Sequence, residues 1–208
     1  MSLSAKHGLS TNHKIIMKND IILAGVGGQG ILSIATVIGQ AALAEGWYLK
    51  QAEVHGMSQR GGEVQSHLRI STDPIWSDLI PQGQADIILS LEPLEALRYL
   101  PWLAKDGCIV TSSVPFRNID NYPDIEQVYA AIKACPRHVL IDTDALVKEV
   151  NAPVQAANMV LLGAAIPMLG VEPEIVKAGL EKVFARKSET IVATNIRALE
   201  AGYAYASK

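Results

Sequence analysis

The glycine-rich segment at residues 25–30 is the first place where this sequence could do chemistry. It reads Gly25-Val26-Gly27-Gly28-Gln29-Gly30, so Gly25, Gly27 and Gly30 form the pattern G-x-G-x-x-G. Glycines at this spacing permit a tight turn between a strand and a helix, and they bring backbone N–H groups close to a ligand. A helix N-terminus beside the turn favours phosphate or carboxylate groups. The same glycines also occur in strand-to-helix turns that bind nothing, so that alternative stays open.

A second unusual segment lies at residues 55–62. It reads His55-Gly56-Met57-Ser58-Gln59-Arg60-Gly61-Gly62 and surrounds a single arginine with three glycines. The guanidinium of Arg60 could pair with a carboxylate or a phosphate, with backbone donors beside it. A hairpin tip with a solvated charge is the alternative. His55 is the only candidate for a catalytic acid or base, and a lone histidine is weak support for that role.

The elements that must position these segments can be predicted from the hydrophobic pattern. The short apolar run Ile21–Val26 indicates a buried strand, and Ile31–Glu45 is predicted to be a helix that ends near Gly46. A second strand is predicted over Trp47–Val54. Residues Glu63–Ile70 alternate between apolar and polar types, which indicates a strand with one solvated face. Because no helix separates the last two strands, we expect a hairpin and a mixed sheet.

Strands and helices continue to alternate along the rest of the chain, until helices close it. Strands are predicted at residues 86–91, 108–111 and 138–141, and the pattern is helical from Asp144 onward. This order predicts an α/β protein: a Rossmann-like three-layer fold with a mostly parallel, mixed sheet and a helical C-terminal region. We interpret residues 19–208 as a single domain. Residues 1–18 are interpreted as a leader or an appended, disordered segment, with Met17 a sensible native start.

An NAD-binding site is the most obvious interpretation of the glycine pattern, and the sequence argues against it. Glu53 lies 23 residues after Gly30, where an acidic residue would hold the ribose. However, the chain then continues into a glycine-rich loop and an alternating strand instead of a helix. Gln29 also puts a large side chain where a phosphate would approach.

Composition excludes several other classes of function. The chain has 208 residues and a formal net charge of -3, so we expect neither nucleic acid nor a membrane as its partner. No apolar run is long enough to span a bilayer. The two cysteines, Cys108 and Cys135, fit no metal-binding pattern and are too few for an iron–sulfur cluster. We therefore predict no metal site and a reducing, cytoplasmic location.

Together, the two glycine-rich segments resemble those of a known family. The turn at 25–30 and the Arg-Gly-Gly at 60–62 are similar to the small subunits of 2-oxoacid:ferredoxin oxidoreductases. The spelling of residues 55–62 most resembles the indolepyruvate type; gamma subunits of the pyruvate and 2-oxoglutarate types usually differ before the arginine. Asn158 and the following Leu162-Gly163-Ala164 also look like the family. The resemblance spans roughly residues 20–205.

The resemblance implies a reaction that this chain does not perform alone. In the family, a 2-oxoacid is decarboxylated on thiamine diphosphate, coenzyme A (CoA) takes the acyl group, and electrons pass through iron–sulfur clusters to ferredoxin. A large alpha subunit is expected to carry thiamine diphosphate, Mg²⁺ and [4Fe-4S] clusters. No cofactor is expected to bind this chain alone. The small subunit would complete the cleft and help to position CoA.

The same resemblance implies roles for individual residues. The turn would offer backbone donors and the side chain of Gln29 to a phosphate-bearing ligand or to the subunit interface. Arg60 would contact a CoA phosphate or a carboxylate of the alpha subunit, with Ser58 and Gln59 adding hydrogen bonds. Asn158 is expected to be a buried amide that ties down a strand end or the glycine-rich loop. Apart from the resemblance, Trp76 in the turn Asp73-Pro74-Ile75-Trp76 is a candidate anchor for a protein partner.

Overall fold

The computed structural model describes residues 17–55, 61–117 and 119–208. The predicted leader, apart from Met17 and Lys18, lies outside these ranges, as do Gly56, Met57, Ser58, Gln59 and Arg60. Within the described ranges the chain forms six strands and seven α-helices. The strands are β1 (Lys18–Val26), β2 (Tyr48–His55), β3 (Glu63–Ser71), β4 (Ala85–Ser90), β5 (Leu103–Ser112) and β6 (His138–Ile141). The helices are α1 (Ile31–Ala44), α2 (Pro93–Arg98), α3 (Ile125–Lys133), α4 (Thr143–Glu149), α5 (Ala157–Leu169), α6 (Pro173–Phe184) and α7 (Glu189–Ala206).

The six strands form one sheet in the order β2-β3-β1-β4-β5-β6. Strand β3 is antiparallel to both of its neighbours, while β1, β4, β5 and β6 pair in parallel. The predicted hairpin and the predicted mostly parallel, mixed sheet are therefore confirmed. The carboxyl ends of β1, β4, β5 and β6 lie along the same edge of the sheet, which is where ligands bind in open α/β folds.

Alternate residues of β1 supply the two halves of the core. Ile21 and Leu23 pack with the layer that contains α1 and the helices from α4 onward. Ile22 and Ala24 pack on the opposite face, with α2 and α3. The sheet is thus covered on both faces, which confirms the three-layer architecture. Over the parts of the chain that the structure describes, none of the helices is long and apolar enough to cross a lipid bilayer.

Helices α5 and α7 pack so closely that side chains are excluded from their crossing point. A Cβ atom on Gly163 would lie 1.9 Å from the carbonyl oxygen of Leu199, and one on Gly202 would lie 1.9 Å from that of Val160. Proline is common in the first turn of a helix, so Pro153 indicates a helix start, but α5 begins only at Ala157 because a 3₁₀ turn over Val154–Ala156 precedes it.

One face of β3 is more buried than the alternating pattern predicts. His67, assigned to the solvated face, is 5% exposed, and Arg69 on the same face is half-buried. The segment at residues 72–80 and Trp102 cover this face: the N–H of Ile80 donates to His67 Nδ1 at 2.9 Å, and Trp102 packs edge-on against the imidazole. The prediction was wrong here because the alternating pattern shows which side chains are polar. It does not show which of them are buried by other segments of the chain.

Candidate functional site

The glycine turn and the base of the arginine-containing hairpin are joined by their backbones. The N–H of Gly27 donates to the carbonyl oxygen of Gly62 at 2.8 Å, and the N–H of Gly61 donates to that of Gly27 at 3.3 Å. These bonds continue the pairing of β1 with β3 beyond the strand ends. The glycine turn and the described end of the second segment, Gly61 and Gly62, therefore lie side by side at the carboxyl edge of the sheet. Arg60, which directly precedes Gly61, is outside the described residues.

Two glycines give the turn its shape. Gly28 (φ 104°) and Gly30 (φ 90°) lie in the left-handed region that favours glycine. Gly28 is exposed, and a Cβ atom there would meet no heavy atom within 4 Å. Counting only described residues, neither the N–H of Gly28 nor that of Gly30 has a hydrogen-bond partner. The turn at the N-terminus of α1 thus offers donors for an anionic group.

The side chain of Gln29 is used inside the turn. Its Oε1 accepts from the N–H of Val26 at 2.7 Å, and its Nε2 donates to the carbonyl oxygen of Leu91 at 3.2 Å. Gly25 makes room for it, because a Cβ atom on Gly25 would lie 2.9 Å from Gln29 Oε1. These contacts tie the turn to the end of β4, and the expected contact of this amide with a ligand or a partner stays a prediction.

Asn158 ties the turn to helix α5. It is 7% exposed, and its Nδ2 donates to the carbonyl oxygen of Gly30 at 3.3 Å. Its Oδ1 is buried and has no partner among the described residues. This placement agrees with the expected role of a buried amide that holds the glycine-rich turn.

A cavity of about 470 Å³ opens beside the turn, at the carboxyl ends of β1, β4, β5 and β6. One side is formed by the glycine turn and the other by the segments that follow β5 and β6 and precede α5. Among the lining residues that the structure describes, Asp144 is the only charged one. The cavity is lined by Gly27, Gly28, Gln29, Leu91, Ser112, Val114, Pro115, Phe116, Thr143, Asp144, Val154, Gln155 and Ala157.

The wall formed by Val114, Pro115 and Phe116 belongs to a longer segment, residues 113–122, which we call the strap; Asn118 within it is not described. Glu92 holds the strap in place. Its carboxylate, 1% exposed, accepts from the hydroxyl of Tyr122 at 2.5 Å and from the N–H of Phe116 at 3.3 Å. It also caps α2 by accepting from the N–H of Glu95 at 2.7 Å.

This arrangement has an electrostatic consequence for Tyr122. Burial, together with the hydrogen bond to Glu92, raises the pKa of the phenol well above its ordinary value, so the hydroxyl remains a donor. In the sequence, Glu92-Pro93 indicates a helix start but does not reveal the anchoring role. The available signal was the position of Glu92 two residues after the end of β4, at the ligand-binding edge of the sheet.

The remaining candidates are not part of this cavity. Glu53, the possible ribose ligand, lies on β2, which β3 separates from β1. Two strand spacings, about 10 Å, therefore lie between Glu53 and the glycine-turn strand, an arrangement unlike a dinucleotide-binding half. Asp142 caps α4 through the N–H of Ala145 at 2.8 Å, as expected for an aspartate at a strand end.

Metal binding has no support in the described part of the chain. Its His, Cys, Asp and Glu side chains include no cluster of three that could hold an ion. Cys108 is buried in β5, and burial raises the pKa of its thiol, so it is unsuited to act as a thiolate ligand.

Residues 20–205 match the profile of the Pyruvate ferredoxin/flavodoxin oxidoreductase family. The chain belongs to this family. The Indolepyruvate oxidoreductase subunit IorB of Pyrococcus horikoshii is 37% identical over 153 residues, which cover 70% of this chain and 75% of that protein. The protein of the same name from Archaeoglobus fulgidus is 33% identical over 198 residues, covering 90% and 94% of the two chains.

Comparison with solved structures finds the same fold in another oxidoreductase. The 2-oxoglutarate:ferredoxin oxidoreductase of Magnetococcus marinus, solved with 2-oxoglutarate, CoA and succinyl-CoA bound, superposes with a TM-score of 0.72 at 21% identity. The match covers 91% of this chain and 31% of that longer one. In that relative, the fold therefore makes up about a third of a larger polypeptide.

Proposed function

We propose that this chain is the small subunit of a cytoplasmic indolepyruvate ferredoxin oxidoreductase. In this role it supports the CoA-dependent oxidative decarboxylation of aryl 2-oxoacids, with electron transfer to ferredoxin. The observation that carries the proposal is the joining of the glycine turn to the Arg-Gly-Gly segment through Gly27, Gly61 and Gly62. The IorB relatives support the choice of the indolepyruvate type over the pyruvate, 2-oxoisovalerate or 2-oxoglutarate types.

The chain requires a larger alpha subunit under this proposal and has no activity alone. Thiamine diphosphate, Mg²⁺ and [4Fe-4S] clusters belong to that subunit, because two cysteines cannot supply the four thiolates of a cluster. When bound, thiamine diphosphate supplies the electron-sink chemistry of decarboxylation. The Magnetococcus marinus relative, in which this fold is part of a chain about three times longer, supports a division of labour between this fold and other parts.

The residues of this chain fit a phosphate-bearing ligand such as CoA. The N–H groups of Gly28 and Gly30 have no partners among the described residues, and Gly28 leaves open space where a Cβ atom would stand. The cavity lining that is described contains no lysine or arginine. We assign the missing positive charge to Arg60, with Ser58, Gln59 and the backbone of Gly56 beside it.

The strap supplies the second contribution, which is exclusion of water. Val114, Pro115 and Phe116 form an apolar wall of the cavity, and Glu92 fixes them through the N–H of Phe116 and the hydroxyl of Tyr122. A wall held in this way shields reactive intermediates in the cleft from solvent. No catalytic acid or base is assigned to this chain, and His55 remains the weakest of the predicted site residues.

Anaerobic affinity purification from the native lysate tests the proposal. We expect a brown, thiamine-containing partner several times larger than this chain, and CoA-dependent reduction of ferredoxin only when both subunits are present. Indolepyruvate should be used in preference to pyruvate, 2-oxoisovalerate and 2-oxoglutarate. Recovery of the chain alone with bound NAD(H), or without any partner, would overturn the proposal.

Arg60→Ala tests the assignment of the charged contact. Loss of one charge-assisted hydrogen bond, worth about 1.5–3 kcal/mol, should weaken the apparent affinity of the complex for CoA roughly 10- to 100-fold. Arg186→Ala is the matched control, since Arg186 is an exposed arginine that follows α6 on another part of the surface. An assembled Arg60→Ala complex with unchanged apparent affinity for CoA would remove Arg60 from the site.

A further inference from the structure

Helix α1 has an exposed side that carries no charge. The helix contains no acidic or basic residue, whereas α3, α6 and α7 each contain both kinds. A helix without charged residues is ordinarily covered on all sides. Nevertheless, Leu32 is 41% exposed and Leu43 is 53% exposed. This side of α1 therefore has the composition of a protein interface, where charged residues are depleted.

The uncharged side of α1 is turned toward the outer edge of the sheet. Four of its residues that are not buried form what we call the α1 stripe: Leu32, Thr36, Gln40 and Leu43. Gly39 lies about 20° from Leu32 around the helix, and a Cβ atom on Gly39 would lie 3.2 Å from Leu49 Cδ2 in β2. The stripe therefore begins where α1 contacts β2 and continues outward beyond that strand.

Strand β2 is the outermost strand on this side, and part of its backbone points away from the sheet. The N–H of Thr72 donates to the carbonyl oxygen of Met17 at 2.9 Å, so β3 residues two and four positions before Thr72 also turn their backbone groups toward β1. Those two residues lie opposite Leu49 and Gln51. Leu49 and Gln51 therefore turn their N–H and C=O groups outward, where none of the described strands pairs with them.

A second copy of the chain can continue the sheet at this edge. An unpaired edge accepts another strand, and two copies pair in antiparallel fashion about a two-fold axis perpendicular to the sheet. Such an axis keeps α1 of both copies on the same face, so residues that face each other are both even-numbered or both odd-numbered. Four axis positions keep at least five residues of each β2 strand paired: Lys50, Gln51, Ala52 and Glu53.

Charge and strand length disfavour three of these four registers. With Lys50 or Glu53 on the axis, that residue would face its own counterpart, and like charges directly opposite each other are destabilising. With Ala52 on the axis, Lys50 would face Val54. Tyr48 would then lie beyond the end of the partner strand, which stops at residue 55.

The register with Gln51 on the axis is self-complementary. Tyr48 of each copy then faces Val54 of the other, and Lys50 faces Ala52, so no like charges meet. Tyr48 is 50% exposed and Val54 is 49% exposed, so each covers the other's apolar surface. The outward N–H and C=O groups of Gln51 meet those of its counterpart, which is the arrangement of a hydrogen-bonded pair.

We propose that this chain forms a two-fold homodimer through the β2 side, defined as strand β2 together with the α1 stripe. The two six-stranded sheets join into one through β2, and the two α1 stripes pack against each other on one face of it. None of these residues lines the cavity beside the glycine turn, so the cavity stays open to a larger subunit. The dimer goes beyond the proposed function and does not depend on it.

Cysteine cross-linking of the full-length chain tests both the occupant and the register. Gln51→Cys places two cysteines across the axis with Cα atoms about 5.5 Å apart, within the range of a disulfide. Val54→Cys is the matched control at another exposed position of β2. Its two Cα atoms are roughly 20 Å apart, because six residue positions separate them along the sheet. Under mild oxidation, Gln51→Cys should become a covalent dimer and Val54→Cys should not.

Sedimentation measures the dimer without a cross-link. The full-length chain should have twice the mass of the 22.3 kDa monomer. Leu43→Glu puts a carboxylate into the α1 stripe and should raise the dissociation constant of the dimer at least about tenfold, because the charge loses water on burial. Ile191→Glu changes an exposed hydrophobic residue near the start of α7 and should leave the dimer intact. Circular dichroism of both variants should match that of the parent chain.

Three outcomes would overturn the dimer. The first is a chain that stays monomeric at high concentration and gives no Gln51→Cys cross-link, alone or in the assembled complex. The second is a dimer that persists in Leu43→Glu and gives no such cross-link, because it then forms through another surface. The third is protection of the β2 amides from hydrogen exchange only when a larger subunit is bound, again without a cross-link. Recovery of that larger subunit is measured separately, so failure of the proposed function is distinguishable from failure of the dimer.

Discussion

The side-chain amide of Asn158 donates to the carbonyl oxygen of Gly30 at 3.3 Å, across 128 residues of sequence. Asn158 lies in the first turn of α5, which packs backbone-to-backbone against α7. The glycine turn is therefore held by the C-terminal helices as well as by its own strand and helix. The position of the backbone donors at the ligand edge depends on a packing contact far away in the sequence.

Gly30→Ala and Gly28→Ala should separate backbone strain from loss of this contact. Both residues have a positive φ, so each substitution costs about 1–2 kcal/mol of unfolding free energy. Only at Gly30 would the new Cβ meet a neighbour, at 2.6 Å from Asn158 Nδ2. We expect Gly30→Ala to cost about 1 kcal/mol more in urea unfolding, because Asn158 must move and lose its hydrogen bond.

A double-mutant cycle checks this explanation. Adding Asn158→Ala to Gly30→Ala removes the side chain that the new methyl group meets, so the two losses should sum to less than additive. Equal losses for Gly28→Ala and Gly30→Ala, or strictly additive losses in the cycle, would contradict the assigned role of Asn158.

Glu92 should be the residue on which the strap depends most. Tyr122→Phe removes one hydrogen bond to a buried carboxylate and should cost about 2 kcal/mol, because such bonds are stronger than neutral ones. Tyr205→Phe is the control: its hydroxyl donates to the carbonyl oxygen of Leu140 at 3.1 Å, at an exposed position. That loss should stay below about 1 kcal/mol.

Hydrogen exchange shows whether the effect is confined to the strap. The N–H of Phe116 and the hydroxyl of Tyr122 both donate to Oε1 of Glu92. In Glu92→Gln this acceptor loses its charge, and hydrogen bonds to a neutral oxygen are weaker, so the N–H of Phe116 should exchange faster. The assembled complex should also bind CoA more weakly, with assembly itself unchanged. Unaltered exchange in the strap of Glu92→Gln would show that this segment is held by other contacts.

Local backbone chemistry made much of this fold predictable. Glu92-Pro93 predicts the start of α2 and Ser188 the start of α7, and each does cap its helix through a side-chain oxygen. The glycine turn was predictable for the same reason, since its shape follows from residues adjacent in sequence. The hairpin of β2 and β3 followed from the absence of a helix between them.

Long-range contacts account for what the sequence did not reveal. The pattern of β3 does not show that the segment at residues 72–80 folds back over His67, because that cover comes from a contact with Ile80, 13 residues away. In the same way, the use of Gln29 to reach Leu91 depends on the parallel pairing of β1 with β4. The strap lacked any periodic signal, so its place over the cavity emerged only from the structure.

The ion pair between Asp20 and Arg69 should contribute strongly to stability. Arg69→Met would leave a carboxylate that is 1% exposed and paired, among the described residues, only with Lys18. It would also remove the bonds to the carbonyl oxygens of Ser77 and Leu79. We expect a loss of about 3–5 kcal/mol in chemical unfolding, as for other broken buried pairs. Lys177→Met breaks the exposed pair with Glu200 and should cost much less, because solvent screens that contact. Comparable losses of unfolding free energy for the two variants would show that burial of Asp20 does not increase the contribution of its ion pair to stability.

The buried imidazole of His67 should make stability depend on pH. Burial, and then the charge of Arg69, lower its pKa below the ordinary value of 6.5, while Asp78 acts weakly in the opposite sense. The unfolded chain therefore binds a proton at a higher pH than the folded chain does. The contribution of His67 to the free energy of unfolding should be constant above pH 6.5. Below that pH the free energy of unfolding should fall as the pH drops.

His67→Asn isolates this contribution. Asparagine keeps an acceptor for the N–H of Ile80 but does not titrate, so the variant should lose the part of the slope that is due to His67. The slope of unfolding free energy against pH that one titrating proton can cause is at most about 1.4 kcal/mol per pH unit. Unfolding free energies of both proteins between pH 4 and 8 provide the measurement. Parallel curves would mean that His67 is protonated as easily in the folded chain as in the unfolded one.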